Sequence, residues 1–342
     1  MSVTSKILDR LNIAGKLTPK RLANAGRVYT SFYKSRMLGS TYHPAFPLGL
    51  AIEPTTACNL RCPECPSGLR SFTRPTGRLS MPLVKRVLDE VSPYTFYLTL
   101  YFQGEPYLNP DFLDIVEYAR SKSMYTATST NGHFLNDENA RRTVESGLDR
   151  LIISLDGTTQ ETYEAYRKEG QLDKVLAGAE RIVYWKKKLK SRTPYTVFQF
   201  LVVKPNEHQI PEARDLTTRL GLDGLLLKTA QVYDFKHGHE LIPDQEQFAR
   251  YKKMPDGTYT IKNSLDNHCW KLWTSCVVTW DGKVVPCCFD KDASHEMGNL
   301  NERSFREVWN NEAYRAFRSQ LLKSRSTIDI CNNCSEGTKV WG

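Results

Sequence analysis

The sequence predicts a mixed α/β protein, a partial, open (β/α)6 barrel followed by a small C-terminal cysteine-rich hairpin-plus-helix domain. Three observations predict it. Strand-like and helix-like stretches alternate six times between residues 47 and 231, which implies a parallel sheet. A closed eight-unit barrel takes about 250 residues, so six units leave the barrel open. The nine cysteines fall into two groups, three at 58–65 and six at 269–334, and the second group surrounds an Asp281-Gly282 turn.

Taken in order, residues 20–38 set Leu22, Val28, Tyr29, Phe32, Tyr33, Met37 and Leu38 near helical spacing with basic residues between. That pattern has two readings: a helix lying on the body, or an arm for a partner or a membrane surface. Leu48–Glu53 reads as the first strand, and 81–91 as a helix with Ser80 as N-cap and Pro82 in its first turn. Phe96–Tyr101 is the second strand and 111–121 a helix. Tyr125–Ser129 is the third strand, before a helix that opens near Asn136 or Asp137 and stops at Gly147. Leu151–Leu155 is the fourth strand, and helical pattern then runs from Thr159 to Lys190 with a break at Gly170. Thr196–Val203, a helix over 210–220 and Gly224–Lys228 complete the six units. In such a TIM-like sheet the chemistry belongs at the carboxyl ends of the strands.

Residues 232–265 lose the rhythm and read as a linker, with His237 and His239 as solvated histidines. Val277–Trp280 and Lys283–Val285 flank Asp281-Gly282 as a hairpin with a type I′ turn. A helix over 304–323 and Cys331-x2-Cys334 close the chain. The domain expectation is thus a basic helical arm at 1–46, the barrel at 47–231, a linker at 232–266 and the cysteine domain at 267–342.

Bulk composition excludes more than it assigns. With 40% hydrophobic and 25% charged residues the chain is ordinary for a globular protein. It has neither a bilayer-length apolar run nor a signal-peptide core, so a cytoplasmic location is expected. Clustered cysteines in a reducing compartment point to metal or redox groups. Eight Lys and Arg against Asp9 alone put +7 of the net +9 charge into residues 1–40, and the other 302 residues carry only +2. That describes a nearly neutral body with a basic arm, not a globally basic nucleic-acid binder.

The first cysteine group, Cys58-x3-Cys62-x2-Cys65, follows directly after the first strand. Thiolates suit iron, and a cube held by three of them leaves one iron open for a substrate or cofactor. This spacing resembles the CxxxCxxC motif of radical S-adenosylmethionine (SAM) enzymes. The resemblance implies that the open iron of a [4Fe-4S] cluster binds the amino and carboxylate groups of SAM. An external donor such as flavodoxin or ferredoxin then supplies an electron that cleaves SAM to methionine and a 5′-deoxyadenosyl radical, which takes hydrogen from the substrate. Gly104-Glu105-Pro106 resembles the segment that receives the SAM amino group, as a carboxylate accepting charge-assisted hydrogen bonds would. Ser129-Thr130-Asn131-Gly132 and Ser154-Leu155-Asp156-Gly157 resemble two further segments, carrying Thr130 and Ser154 over as SAM contacts, with Asn206 a weaker candidate. Glu64 departs from the family pattern, which often has an aromatic residue before the third cysteine.

Residues 269–334 resemble the SPASM or twitch extension of the same superfamily. Six cysteines fall short of the seven or so needed for two auxiliary clusters. The resemblance implies one auxiliary [4Fe-4S] cluster held by Cys269, Cys287, Cys331 and Cys334. Cys276 competes with Cys269 for the first place, although it can be an apolar core position, and a zinc ribbon has the same cysteine pattern.

Oxidation of a small alcohol or cyclitol, with the auxiliary cluster taking the second electron, is the first functional reading. Peptide or protein side-chain maturation is the second. A non-enzymatic metal-stabilised binding protein would leave the Glu105 and Ser154 segments without a reason. Tyr101, Gln103, His133, Asp156 and Lys228 lie near strand ends and are candidates for proton handling or substrate binding.

Overall fold

A computed structural model describes residues 3–337. Six parallel strands form the barrel wall: β1 Gly49–Ile52, β2 Tyr97–Thr99, β3 Tyr125–Thr130, β4 Arg150–Ser154, β5 Tyr195–Val202 and β6 Gly224–Thr229. They pair in sequence order, and helices from the connecting segments cover the outer face. Strands buried on both faces read as apolar runs, and Leu151, Ile153, Phe198 and Phe200 are all buried. The expected break at Gly170 divides one long helical pattern into helices at Gln160–Tyr166 and Leu172–Lys188.

Residues 232–266 are not a free linker. They contain a hairpin, β7 Tyr251–Lys253 and β8 Tyr259–Ile261, and bury Val232, Leu241, Ile242 and Tyr251 in one cluster with Leu60 and Cys62. Apolar residues scattered among turn signals had concealed that packing, because no period links them. His239 and Glu64 meet across this contact at 3.6 Å, and Glu64 also accepts a hydrogen bond from the Tyr233 amide.

The tail does not stand apart either. β9 Ser275–Val278 pairs parallel with β1, from Gly49 opposite Ser275 to Ile52 opposite Val278, while β10 Lys283–Val285 and β11 Gly298–Asn299 continue the sheet outward. Nine strands thus form one sheet. The helix expected over 304–323 is two helices, Phe305–Trp309 and Glu312–Ser324. Ser304 and Glu307 form a capping box at the first, and the Asn311 side chain caps the second by accepting from the Tyr314 amide.

Two helices, Val3–Gly15 and Pro19–Leu38, cover the end of the barrel where the strands begin. Only the second was legible from spacing. Asp9 on the first bonds to Tyr125 and Arg150, and Asn12 donates to Asp149 at 2.7 Å. Arg21 on the second is buried without a carboxylate. Its guanidinium donates to the carbonyls of Lys16, Ser92, Lys122 and Ser123, which end or follow the preceding helices. Replacing Arg21 by Ala strands several buried carbonyls, so urea denaturation is expected to show a loss of about 2–4 kcal/mol. Arg21→Lys should recover part of it, and a loss below about 0.5 kcal/mol would show that the helix does not depend on this anchor.

Candidate active site

The carboxyl ends of the first four strands meet at a cavity of about 360 Å³. Cys58, Cys62 and Cys65 enter it from the loop after β1, Glu105 from the turn after β2, Thr130 from the last position of β3 and Ser154 from the last position of β4. Gly104 makes this approach possible. Its φ is +73°, and a Cβ there would stand 2.2 Å from the Thr55 carbonyl, so a side chain would push the turn off the cysteine loop.

Glu105 is buried, and burial pushes its carboxyl up to about 7 against the hydrogen bonds that favour its charge. The Thr130 hydroxyl and the Asn131 amide each donate to it at 2.7 Å, and the Tyr107 amide donates at 3.3 Å. Thr130 also accepts from the Gly132 amide at 3.0 Å, so its hydroxyl serves to orient Glu105.

The sulfurs fit an anionic iron–sulfur cluster. Burial pushes the Cys58 thiol up to about 12 and raises Cys62, so their ionised forms would call for compensating positive charge nearby. Donors already face the sulfurs: the Leu60 amide lies 3.5 Å from Cys58 Sγ, Asn131 Nδ2 3.9 Å from the same atom, and Arg167 Nη1 3.7 Å from Cys62 Sγ. Cys65 donates to Gln103 Oε1 at 3.9 Å.

Arg167 was not found by sequence reasoning. It sits at the break between two helices, where Asp156 holds its Nε in a buried ion pair and its guanidinium lines the cavity. The only sequence signal was a basic residue at a helix break soon after the Ser154 segment. Gln199 from β5 and Lys291 from the tail also line the cavity and were equally invisible.

The substrate candidates separate. Tyr101 lines the cavity, its phenol pushed up to about 12 by burial, and Gln103 is buried beside Cys65. Asp156 lies behind the wall, holding Arg167 and accepting from the Leu201 amide at 2.7 Å. His133 is away from the cavity: Nε2 accepts from the Gln171 amide, Nδ1 faces the Asn131 carbonyl, and burial lowers its pKa, so the ring is committed to the loop. Lys228 stands exposed on the edge strand β6. Asn206 is fully buried and spends its side chain on the Asp156 and Leu201 carbonyls and the Val203 amide.

The tail cysteines also separate. Cys269, Cys287, Cys288, Cys331 and Cys334 form one neighbourhood in which charge on one disfavours charge on others: Cys287 with Cys288, Cys269 and Cys334, and Cys331 with Cys334 and Cys269. Cys276 has no cysteine neighbour of this kind; it is buried in β9 opposite Leu50, against Tyr314 and Arg318. Cys288 is exposed beside Lys271 and Glu336. Gly337, at φ +79°, presses on Cys269 so closely that a Cβ would lie 2.3 Å from Sγ. Arg325 is buried beside Cys269, Cys331 and Cys334, and its Nε has no hydrogen-bond partner among the described residues, so its guanidinium would favour negative charge on those sulfurs.

Comparison with known proteins agrees with this geometry. Residues 52–215 match the radical SAM superfamily, and residues 269–335 match SPASM, an iron–sulfur cluster-binding domain, which answers the zinc alternative. The chain is 26% identical to the tungsten-containing aldehyde ferredoxin oxidoreductase cofactor-modifying protein of Pyrococcus furiosus, over 84% of this chain and 86% of that protein. It is 24% identical to the PqqA peptide cyclase of Gluconobacter oxydans, over 87% and 86%. Streptococcus suis SuiB bound to S-adenosylmethionine shares the fold with a TM-score of 0.63 at 16% identity, covering 92% of this chain and 77% of SuiB. The cofactors are therefore SAM, a [4Fe-4S] cluster and auxiliary iron–sulfur, and the chain belongs to the radical SAM superfamily, with a C-terminal SPASM domain.

Proposed function

We propose that the chain is a radical SAM oxidoreductase that acts on a peptide or protein side chain. In this account Cys58, Cys62 and Cys65 hold the catalytic cluster, and Cys269, Cys287, Cys331 and Cys334 the auxiliary one. The observation that carries the first assignment is the single cavity in which those three cysteines and the fixed carboxylate of Glu105 converge. When bound, the cofactors supply the electron that cleaves SAM, the deoxyadenosyl radical that removes a substrate hydrogen, and an acceptor for the second electron.

The protein binds and orients. Glu105, held by Thr130 and Asn131, accepts from the SAM amino group. Arg167 offers its guanidinium to the SAM carboxylate, kept in place by Asp156, and Ser154 adds a hydroxyl. Tyr101 and Lys291 face the remaining space, where they can meet the substrate and exclude water.

A peptide substrate is supported by the relatives: a peptide cyclase, the mycofactocin maturase of Mycobacterium tuberculosis at 26% identity, and SuiB, which has been seen with its precursor peptide SuiA. Beside the cavity, sharing Cys58 and Ser67 with it, runs a groove of about 700 Å³ bearing Arg70, Phe72 and Arg78, room for an extended chain. Dehydrogenation of a small alcohol or cyclitol is favoured by one observation, the six tail cysteines with Cys276 set apart in β9, too few for two auxiliary clusters. The two readings part on the source of the hydrogen. With extracts from cells grown on deuterated nutrients, label is expected in 5′-deoxyadenosine from the macromolecular or peptide fraction; label from the small-molecule fraction alone would select the alcohol reading.

Two substitutions test the assignments. Glu105→Gln is expected to weaken SAM binding about 10- to 100-fold in equilibrium dialysis while leaving the cluster absorbance intact, because one charge-assisted hydrogen bond is lost. Unchanged affinity would remove Glu105 from the site. Cys269→Ala should cost about four iron per chain after anaerobic reconstitution, and Cys276→Ala none. Loss of iron in the Cys276 variant alone would reverse the ligand assignment.

A further inference from the structure

We propose that the two N-terminal helices form a docking face for an anionic phospholipid surface. They present to solvent what a folded body ordinarily hides. Of the fourteen large apolar side chains that stand exposed among the described residues, eight lie between Ile7 and Tyr42. Met37 is 80% exposed, Leu38 74%, Leu11 61%, Leu22 54% and Ile7 50%.

Their placement on the helices is ordered. On Val3–Gly15 the inward direction is fixed by Asp9, which reaches Tyr125 and Arg150. At 100° per residue, Ile7 and Leu11 fall on the opposite side, and Lys6 and Arg10 lie on one flank. On Pro19–Leu38 the inward face is Arg21, Asn24, Val28 and Phe32. Leu22, Tyr33 and Met37 take the outward face, with Arg27 and Lys34 beside them. Each helix therefore has an apolar outer stripe bordered by cations, on one side only in the first helix, the arrangement of interfacial helices that sink their apolar side chains below the headgroups.

The charge selects the kind of surface. Asp9, the one carboxylate in residues 1–40, is buried and paired, so the exposed Lys6, Arg10, Arg27 and Lys34 have no opposing acid within the arm, while Lys20 and Arg36 lean onto the Tyr94 and Phe32 rings. Nucleic acid would satisfy the cations but offer Leu11 and Met37 nothing. An anionic bilayer satisfies both. Both helices lie at the strand-start end, anchored by Asp9 and Arg21, whereas the cavity opens at the strand carboxyl ends. Docking by this face leaves the mouth of the active site turned away from the lipid, and it does not depend on the substrate proposed above.

The test is co-sedimentation of the full-length chain with vesicles of phosphatidylcholine alone or mixed equally with phosphatidylglycerol. Binding is expected on the mixed vesicles, absent on phosphatidylcholine, and lost at about 0.5 M salt. Leu11→Glu with Met37→Glu should abolish it with unchanged circular dichroism. Arg27→Gln and Lys34→Gln should each weaken it roughly fivefold. Failure of the parent chain to sediment with the mixed vesicles would overturn the proposal. So would undiminished binding by the double glutamate variant, or equal binding to polyglutamate, which would assign the face to an acidic protein.

Discussion

The parallel pairing of β1 with β9 is the constraint on which the rest of the structure depends. Cys58, Cys62 and Cys65 leave the sheet just after β1; Cys269 lies just before β9, and Cys287 follows β10. Through four residue pairs the two strands join the two cysteine-bearing segments in one sheet, the first site following the end of β1 and the second lying about the start of β9. Side chains tighten the same joint. Arg74 makes a buried two-pronged contact with Glu53, at 2.8 and 2.6 Å, and its Nε donates to the Lys291 carbonyl at 3.2 Å. The Trp280 indole donates to the Pro75 carbonyl. The radical SAM region and the SPASM region are therefore joined by main-chain hydrogen bonds as well as by the intervening chain.

Buried charge follows a common logic at both sites. Arg167 lines the catalytic cavity, Arg325 lies beside the tail thiols, and Arg318 is enclosed by Trp273, Trp309 and Tyr314 next to Cys276. A guanidinium is costly to bury, and burial pulls Arg318 down to about 10. Among the described residues only Arg167 of the three has a carboxylate partner, Asp156. At Arg167 and Arg325 the facing groups are sulfurs, which gain negative charge once they ligate iron. Arg318 lies deeper, its cation set against aromatic faces; burial first, and then the Arg318 charge, push the His43 ring well below its ordinary pKa.

Much of this was legible in the sequence, for reasons that can be named. Periodicity alone found the six strands, since β-branched and aromatic runs bounded by Gly and Asp have few other uses. The CxxxCxxC spacing could be read because its chemistry needs those cysteines close together in the chain, and Glu105 because Gly104-Glu105-Pro106 resembles a segment of the family. Arg167, Gln199 and Lys291 escaped because they reach the cavity from the helix after β4, from mid-β5 and from the tail. His133 and Lys228 looked similar to them in sequence, yet one is tied to Gln171 and the other stands exposed on the edge strand β6, outside the lining of the cavity. The β1–β9 pairing could not be read at all, because residues 49 and 275 share no local signal; the same holds for the packing of 232–266 onto Leu60.

The most direct test of the account is to reconstitute the parent chain and a Cys58→Ala, Cys62→Ala, Cys65→Ala variant anaerobically. Iron and sulfide per chain are then counted, and 5′-deoxyadenosine is measured with SAM and dithionite. The account predicts about eight iron for the parent, about four for the variant, and 5′-deoxyadenosine from the parent only. A variant that still makes 5′-deoxyadenosine, or that loses all its iron, would contradict the separation of a catalytic first site from an independent second one.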